Sequence, residues 1–468
     1  MNGKTILVWF RNDLRIHDNE ILFEAIRRAD KIVPVYCFDP DHFGISSLNT
    51  QKTGAIRAKF IIESVANLKK SLQKLGADLI VKFGKPEDIL PEIVQQYAVA
   101  EVYHHREVAS EETETSAKVE AALWKLQINL RHFIRHTMYH KEDLPFPIKD
   151  IPDVFSIFRK KIERESTVRQ CLATPEAITV PAGMETGAIP TLADLGLEEQ
   201  EYDERSVLHF KGGETEGLKR LAEYIRDFNL SVNSKDLRSQ APGAYSSKLS
   251  PWIALGCIST RKVYWEIKNN EHLIAKETLN RMMLELLRRD YFRFMLKKHS
   301  NKFSQAKERA EQRSGAEEND EDLFLSWKNA GTGVPFIDAI MNELNATGYI
   351  SNSGRQNIAN FLIKNLRVNW VRGAAYFKEK LIDYSPASNL GNWIYIVEET
   401  GKSPADNKNS AILKLANESD PKGDYVRKWL PMLASIPGSL IHEPWKLSPD
   451  ELKAYGIQEH TFCSPLAI

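Results

Sequence analysis

The sequence predicts an α/β domain built on a doubly wound parallel sheet, followed by an all-α helical domain, and three features carry that expectation. Short β-branched runs alternate with amphipathic stretches from residue 5 to about residue 134, the pattern of strands joined by crossover helices. A stretch rich in Pro, Gly, Thr and acidic residues, with no sustained period, follows at 171–205, as an interdomain connection would. From Gly213 to about Trp429 apolar residues recur at helical spacing with almost no strand-like alternation, which implies helices packed on helices.

Taken in order, TILVWF from Thr5, KIVPVYCF from Lys31, DLIVKF from Asp78, EVYHH from Glu101 and INLRHFI from Ile128 are the strands. The stretches 19–29, 54–75, 86–97 and 110–126 between them are the helices, the last signalled by Ser110 as a helix start. The expected divisions are 1–140 for the α/β domain, 141–205 for the connection and 206–468 for the helical domain. A chain of 468 residues exceeds the usual size of one core, so two domains are the default. Ligands of such sheets gather at the carboxyl ends of the strands. No GxGxxG follows the first strand, and Gly401-Lys402-Ser403 lacks the earlier glycine of a phosphate loop, since Ile396 occupies its place. Dinucleotide and nucleoside-triphosphate sites of those types are thereby disfavoured.

Lys+Arg and Asp+Glu both number 63, which argues against nucleic-acid binding driven by net charge, although a local basic face is compatible with it. Cys37, Cys171, Cys257 and Cys463 form no CxxC pair; they read as buried thiols, with no zinc site or disulfide framework. The apolar run before Arg11 is too short for a signal peptide or a membrane span, so a cytoplasmic protein with no membrane partner is expected. The mixed charges of 304–322 read as a solvated loop or exposed helix.

Three motifs offer chemistry. In Tyr245-Ser-Ser-Lys-Leu-Ser-Pro-Trp252, Ser250 before Pro251 signals a helix start, where hydroxyls, backbone N–H groups and Lys248 would converge on an anion; an ordinary capped helix has the same residues. Arg355 opens an apolar helical run after Gly348-Tyr-Ile-Ser-Asn-Ser-Gly354 and needs a partner, for which Asp383 is a candidate. Pro386 and Gly391 bend the chain so that Asn389 and Trp393 come together, an indole beside an amide that suits an aromatic cofactor. Single tryptophans are ordinarily core, and on that ground alone Trp370 and Trp393 would be packing.

WFRNDLRIHDN (9–19), PVYCFDP (34–40), KTGAIRAKFIIESV (52–65), HREVASEE (105–112), YHKEDLPFPIKDIPDVFSIFRKKIE (139–163) and YSSKLSPWIALGCIS (245–259), together with LLRRDYFRF, ATGYISNSGRQNIANFL and GDYVRKWLP, resemble the DASH-type cryptochromes of the photolyase/cryptochrome superfamily over nearly the whole chain. The resemblance implies FAD held in the helical domain, with blue light as co-substrate. It implies Ser246, Ser247, Lys248, Leu249 and Ser250 as the phosphate-binding turn, Arg355 and Asp383 as the ion pair beside the flavin, and Asn389 as the amide facing its N5. Trp393 and Trp370 match the inner two of three electron-relaying tryptophans. Glu285, Gln356, Tyr395 and, at the rim, Asn352 match the lesion pocket. Glu107 and Glu111 resemble positions near a methenyltetrahydrofolate antenna.

Several positions depart from the family pattern. Val232 stands where a tyrosine approaches the cofactor, Ser385 where a second carboxylate is usual, and 396–408 carries Glu398 and Glu399 near a site for anions. Losing one buried partner costs ~1–3 kcal/mol, about tenfold or more in affinity, so weakened FAD binding follows. The outer tryptophan is Glu317, leaving Tyr395, Tyr376 or Trp327 to substitute. The tryptophan expected between Glu285 and Tyr291 is Arg288, in a segment with Arg281, Arg289, Arg293, Lys297, Lys298 and Lys302 that reads as a single-stranded DNA groove or as a solvated helix face. The expectation is a blue-light sensor with an unidentified signalling partner and weak or no repair. Light-driven repair of cyclobutane pyrimidine dimers in single-stranded DNA, and a scaffold that has lost flavin, are the alternatives.

Overall fold

The structure is a computed structural model that describes residues 3–134, 136–231, 246–300, 320–400, 408–457 and 465–466. Strands β1 (Thr5–Phe10), β2 (Lys31–Phe38), β3 (Ile80–Phe83), β4 (Glu101–His105) and β5 (Asn129–Phe133) form one all-parallel sheet in the order β3-β2-β1-β4-β5. Helices α1 (Glu20–Arg28), α2 (Ala55–Gln73), α3 (Pro86–Gln96) and α4 (Ser110–Trp124) make the crossovers. All six residues of β1 are buried, as a central parallel strand covered on both faces must be. Ile6, Val8 and Phe10 face a core that continues into the helical domain through Trp252, Cys257 and Phe294, while Leu7 and Trp9 face Ile93 and Val119 of α3 and α4.

Local signals set these boundaries. Asn19 caps α1 by accepting from the Leu22 N–H at 3.3 Å, with Glu20 in the first turn and Arg27 and Arg28 in the last, a charge order that suits the helix dipole. Helix α4 starts at Ser110 as expected; Ala109 holds the cap position, and no side chain caps this end. The 171–205 segment has no α-helix or strand, but it is not a loose tether. Thr179 accepts from Ile32 N–H at 2.8 Å and Thr186 from Val81 N–H at 2.7 Å, so it lies along the sheet beside β3.

After α5 (Phe155–Glu165) the helical part comprises α6 (Glu214–Ser231), α7 (Ser250–Ala254), α8 (Thr260–Asn269), α9 (Lys276–Lys298), α10 (Asp320–Lys328), α11 (Pro335–Thr347), α12 (Asn352–Asn360), α13 (Trp370–Lys380) and α14 (Pro386–Thr400), with further helices beyond. Most of the 304–322 charge run lies outside the described residues; its last three residues open α10. Cys37 and Cys257 are buried free thiols and Cys171 is half-buried, whereas Cys463 lies outside the described residues. Among the described residues no helix is long and apolar enough to cross a membrane, and no cluster of metal ligands occurs.

The segment after β1 joins the two parts. Arg15 is buried and donates to Gly256 O at 2.8 Å and His17 O at 3.1 Å, Asp18 pairs with Arg261, and Glu214 accepts from the N–H groups of Ile16 and His17 at 3.0 and 3.1 Å. Gly256 has φ of 63°, and a Cβ there would fall 1.9 Å from Asn12 O. Only glycine permits that approach.

Asp290 of α9 is a second tie, accepting from the N–H groups of Met138 and Tyr139 at 3.0 and 2.9 Å. Burial pushes its carboxyl up to about 7, against the pull of those N–H groups and of Arg289 and Arg293. The unfolded chain ionises Asp290 near ~4, so stability from this group is full below that value and is lost as pH rises through about 7. The melting-temperature advantage of the wild type over Asp290→Asn is therefore expected to shrink by at least ~2 °C between about pH 5 and about pH 8. A difference that stays flat across that range contradicts the assignment.

Candidate flavin site

A cavity of about 430 Å³ opens among α7, α9, α12 and the segment entering α14, within the range that holds cofactor-sized ligands. Ser246, Ser247, Lys248, Leu249 and Ser250 line one part of it and Arg355, Asp383 and Ser385 another, with Tyr349 joining the two: its hydroxyl bonds to Ser246 and Ser250 and its ring lies 5.7 Å from the Arg355 guanidinium. A smaller chamber of about 60 Å³ adjoins it, lined by Gln356, Asn389 and Trp393 and sharing Asn352, Arg355 and Asp383 with the larger.

The Ser246–Ser250 part is a tight turn. Lys248 has φ of 54°, a left-handed conformation that costs a non-glycine residue about 1–3 kcal/mol. Ser250 is not the helix cap expected of it: Leu249 occupies the cap position, Ser250 and Pro251 begin the short α7, and no side chain caps the end. Ser246 and Ser250 are exposed toward the cavity instead. Burial and the neighbouring Arg220 push the Lys248 ammonium down, and Arg220 holds the turn by donating to Ser247 O at 3.1 Å.

In the other part Arg355 Nη2 donates to Asp383 Oδ2 at 2.8 Å and to Ile350 O at 3.1 Å. Burial works against the guanidinium charge and Asp383 more than offsets it. Asp383 Oδ1 and Ser385 Oγ are buried and have no partner. Because they face a cavity, these atoms offer hydrogen-bonding capacity to a bound polar group. A polar heterocycle offering N–H or O–H groups to them, with phosphates at the hydroxyls and ammonium of 246–250, is the chemistry these residues fit. Asn389, one turn before Trp393, accepts from its indole N–H at 3.2 Å and donates to Ala374 O at 3.0 Å. Trp393 is buried, and Gly373 makes room for it: a Cβ there would fall 2.4 Å from the indole. Trp370 opens α13, half-buried.

The mouth differs from expectation. Arg288 neither pairs with Glu285 nor stands free; its guanidinium lies over the Phe155 ring at 5.2 Å, a cation–π contact. The basic segment is divided in use. Arg289 donates to His136 O and Ile253 O, Arg293 pairs with buried Glu107 at 2.8 Å, and Lys298 holds Ile151 O and Asp153. These side chains join elements together, leaving Arg281 and Arg288 at the mouth. Tyr395 is 55% exposed on α14 and lines neither chamber. Val232, Glu317 and Lys302 lie outside the described residues.

Glu107 is taken up by Arg293 and Asn12, and those partners hold its carboxyl well below the usual range despite burial. Glu111 pairs with Lys378 at 2.7 Å in a separate cavity of about 90 Å³ at the carboxyl ends of β1 and β2. Tyr349 and Tyr224 also line the main cavity. Tyr349 sat within the quoted Gly348–Gly354 stretch; no sequence signal marked Tyr224, which is a core position of an amphipathic helix.

A sheet domain docked on a helical domain that encloses a polar-lined cavity defines a two-domain cofactor-binding protein. Residues 6–180 match the DNA photolyase family, and residues 282–466 match the FAD binding domain of DNA photolyase. Cryptochrome DASH of Gloeobacter violaceus is 45% identical over 98% of this chain and 92% of its own length, and that of Danio rerio is 42% identical over 96% and 87%. The crystal structure of the Synechocystis sp. PCC6803 cryptochrome superposes with a TM-score of 0.91 at 40% identity, covering 99% of this chain and 96% of that one. The chain belongs to the DASH cryptochromes of the photolyase/cryptochrome family. It is a blue-light flavoprotein whose cofactor is FAD.

Removing the Asp383 carboxylate strands Arg355 and takes away the cavity's unpartnered acceptor, Oδ1. Asp383→Ala is expected to weaken FAD binding about tenfold or more, ~1–3 kcal/mol, measured by titrating flavin-free protein with FAD. Equal affinities would remove Asp383 from the site.

Proposed function

We propose that this protein is a light sensor with little repair activity, and the position of Arg288 carries that reading. A pyrimidine dimer flipped into such a pocket needs a flat aromatic wall to stack on. At that wall the chain has a guanidinium drawn onto Phe155, 5.2 Å from the ring centroid.

Bound FAD would supply the absorption of blue light and one-electron chemistry. The chain's own residues divide the remaining work. The hydroxyls of Ser246, Ser247 and Ser250, with Lys248, would hold the pyrophosphate, and Leu249 packs the turn from beneath. Arg355, Asp383 and Asn389 would orient the ring system. Trp393 is the buried indole hydrogen-bonded to Asn389, which suits it to electron supply, with Trp370 further out. Light-dependent change at this site would be passed to a partner protein that the sequence does not name.

Repair of single-stranded DNA is the second reading. It is supported by Glu285, Gln356 and Asn352 around the two chambers and by Arg281 at the mouth. Enclosure in the cavity wall pushes the Glu285 carboxyl up, against Arg281 and Arg288, toward the protonated form that donates to a carbonyl. For an antenna the support lies in the smaller cavity. There Glu111, the unpartnered Glu112 Oε2 and the unpartnered Arg57 Nε offer matched groups to a pterin edge, and methenyltetrahydrofolate would enter by parting Glu111 from Lys378.

Single-stranded DNA is expected to bind detectably, with affinity falling as salt rises. Thymine-dimer repair by the FAD-loaded, reduced protein under blue light is expected to be at least about a hundredfold slower than that of a family member with tryptophan at this position. Arg288→Trp should recover part of the difference. Repair by the unmodified protein at the ordinary family rate overturns the sensor reading in favour of the enzyme.

A further inference from the structure

Rings in contact lead away from Trp393 into the protein. Phe377 meets the Trp393 indole edge-on with centroids 5.1 Å apart, and Trp327 lies 6.4 Å beyond Phe377 with the planes 21° apart. Phe324 and Tyr376 flank Trp327 at 5.9 and 5.8 Å. Trp327 has no exposed surface, and Phe324 and Tyr376 are also buried.

An electron vacancy entering this row has one place to rest. Phenylalanine is much harder to oxidise than indole, so Phe377 can bridge but not hold it. Lys328 and Lys380 stand over the Tyr376 ring at 5.2 and 5.7 Å with Glu379 paired to Lys380, and Arg372, paired with Glu321, stands over Phe324 at 4.7 Å; these charges offset one another, so Phe324 is set aside by its phenyl ring and Tyr376 by the fate of its proton. The Tyr376 hydroxyl donates to the Asn345 side-chain oxygen, an amide too weak as a base to accept the proton that an oxidised phenol must lose. Trp327 Nε1–H likewise donates to the Ile358 carbonyl at 3.0 Å, so an oxidised Trp327 also keeps its proton. Tyr395, at the surface of α14, has no part in this row.

We propose that Trp327 is a reversible electron donor to Trp393, acting through Phe377, and that it stores the vacancy inside the protein without passing it to solvent. One electron leaves the Trp327 indole and fills the vacancy on Trp393; Trp327 becomes a radical cation with its Nε1 proton in place. The returning electron restores both indoles, with no net oxidation and no proton released. This rests on the flavoprotein reading of the cavity for the light step that first oxidises Trp393. Because Trp327 is sealed, an external thiol does not reach it, and net reduction by thiol must use another branch, such as that through half-buried Trp370.

The branch is isolated in Trp370→Phe, loaded with FAD and excited by a blue flash. Transient absorption and electron paramagnetic resonance should show a tryptophan radical cation that decays completely and does not accumulate with dithiothreitol. Adding Trp327→Phe or Phe377→Leu should lower that signal at least about tenfold. Phe324→Leu, which removes a ring from the same core but off the route, should leave it in place. Melting temperature and FAD uptake, measured first, show that each variant folds and loads. An equal signal without Trp327, a deprotonated neutral radical, or build-up under thiol overturns the proposal. A chain that takes up no FAD instead fails the cavity reading. The donor is then tested in flavin-free protein oxidised by azide radical in pulse radiolysis, where a long-lived radical-cation fraction should vanish in Trp327→Phe and survive in Phe324→Leu; its persistence in Trp327→Phe rejects the donor.

Discussion

The close approach of Gly256 to the chain after β1 is the constraint on which the site depends. With no Cβ, the α7–α8 turn comes down onto Asn12, and the buried Arg15, Asp18, Arg261 and Glu214 groups then satisfy one another across the junction. Breaking one member of such a network strands a buried charge, at a cost of several kcal/mol. The turn 246–250 lies immediately before α7, so its place over the cavity is set by this contact. Asp290 and the Glu107–Arg293 pair do the same for α9, whose residues form another wall of the cavity.

This use of charge turns part of a strongly basic helix inward, while Lys297 stays exposed near Lys141 and Arg106. Arg289, Arg293 and Lys298 are consumed in fastening α9 to the segments at 136–138 and 151–153 and to Glu107. Of the α9 cations that line the cavity, Arg281 and Arg288 are not used in those ties, and Arg288 is partly directed to Phe155. Electrostatic attraction for a nucleic-acid backbone scales with the cations that remain free to meet phosphates. The α9 residues therefore serve the domain junction first and any polyanion second.

The cavity itself is lined by two polar groups of residues, 246–250 and Arg355 with Asp383 and Ser385, joined by Tyr349. Asp383 Oδ1 and Ser385 Oγ are left without partners beside the Arg355 ion pair, which puts unmet hydrogen-bonding capacity in the cavity wall. Behind them Trp393 belongs to a continuous aromatic core, so the residues that border the flavin site are coupled by packing to rings that no solvent touches.

The sequence by itself determined the strand and helix alternation, the helical second half and the motifs that meet in the cavity. Each of these is local: β-branched runs buried on both faces, helical periodicity and the punctuation of Pro and Gly act over a few residues. The pairing of Arg355 with Asp383 and of Asn389 with Trp393 was also legible, because each motif contained an obvious unmet need. The cap at Ser250 and the fate of the α9 cations were not. Whether a serine caps a helix depends on one residue of backbone geometry, and whether an arginine faces solvent or a neighbour depends on what packs against it from more than a hundred residues away. Phe155 beneath Arg288 is such a case, and the place of Phe377 between Trp393 and Trp327 likewise depends on how separate helices pack. Only the tertiary structure decided them, because contacts between distant segments leave no periodic trace in a single chain.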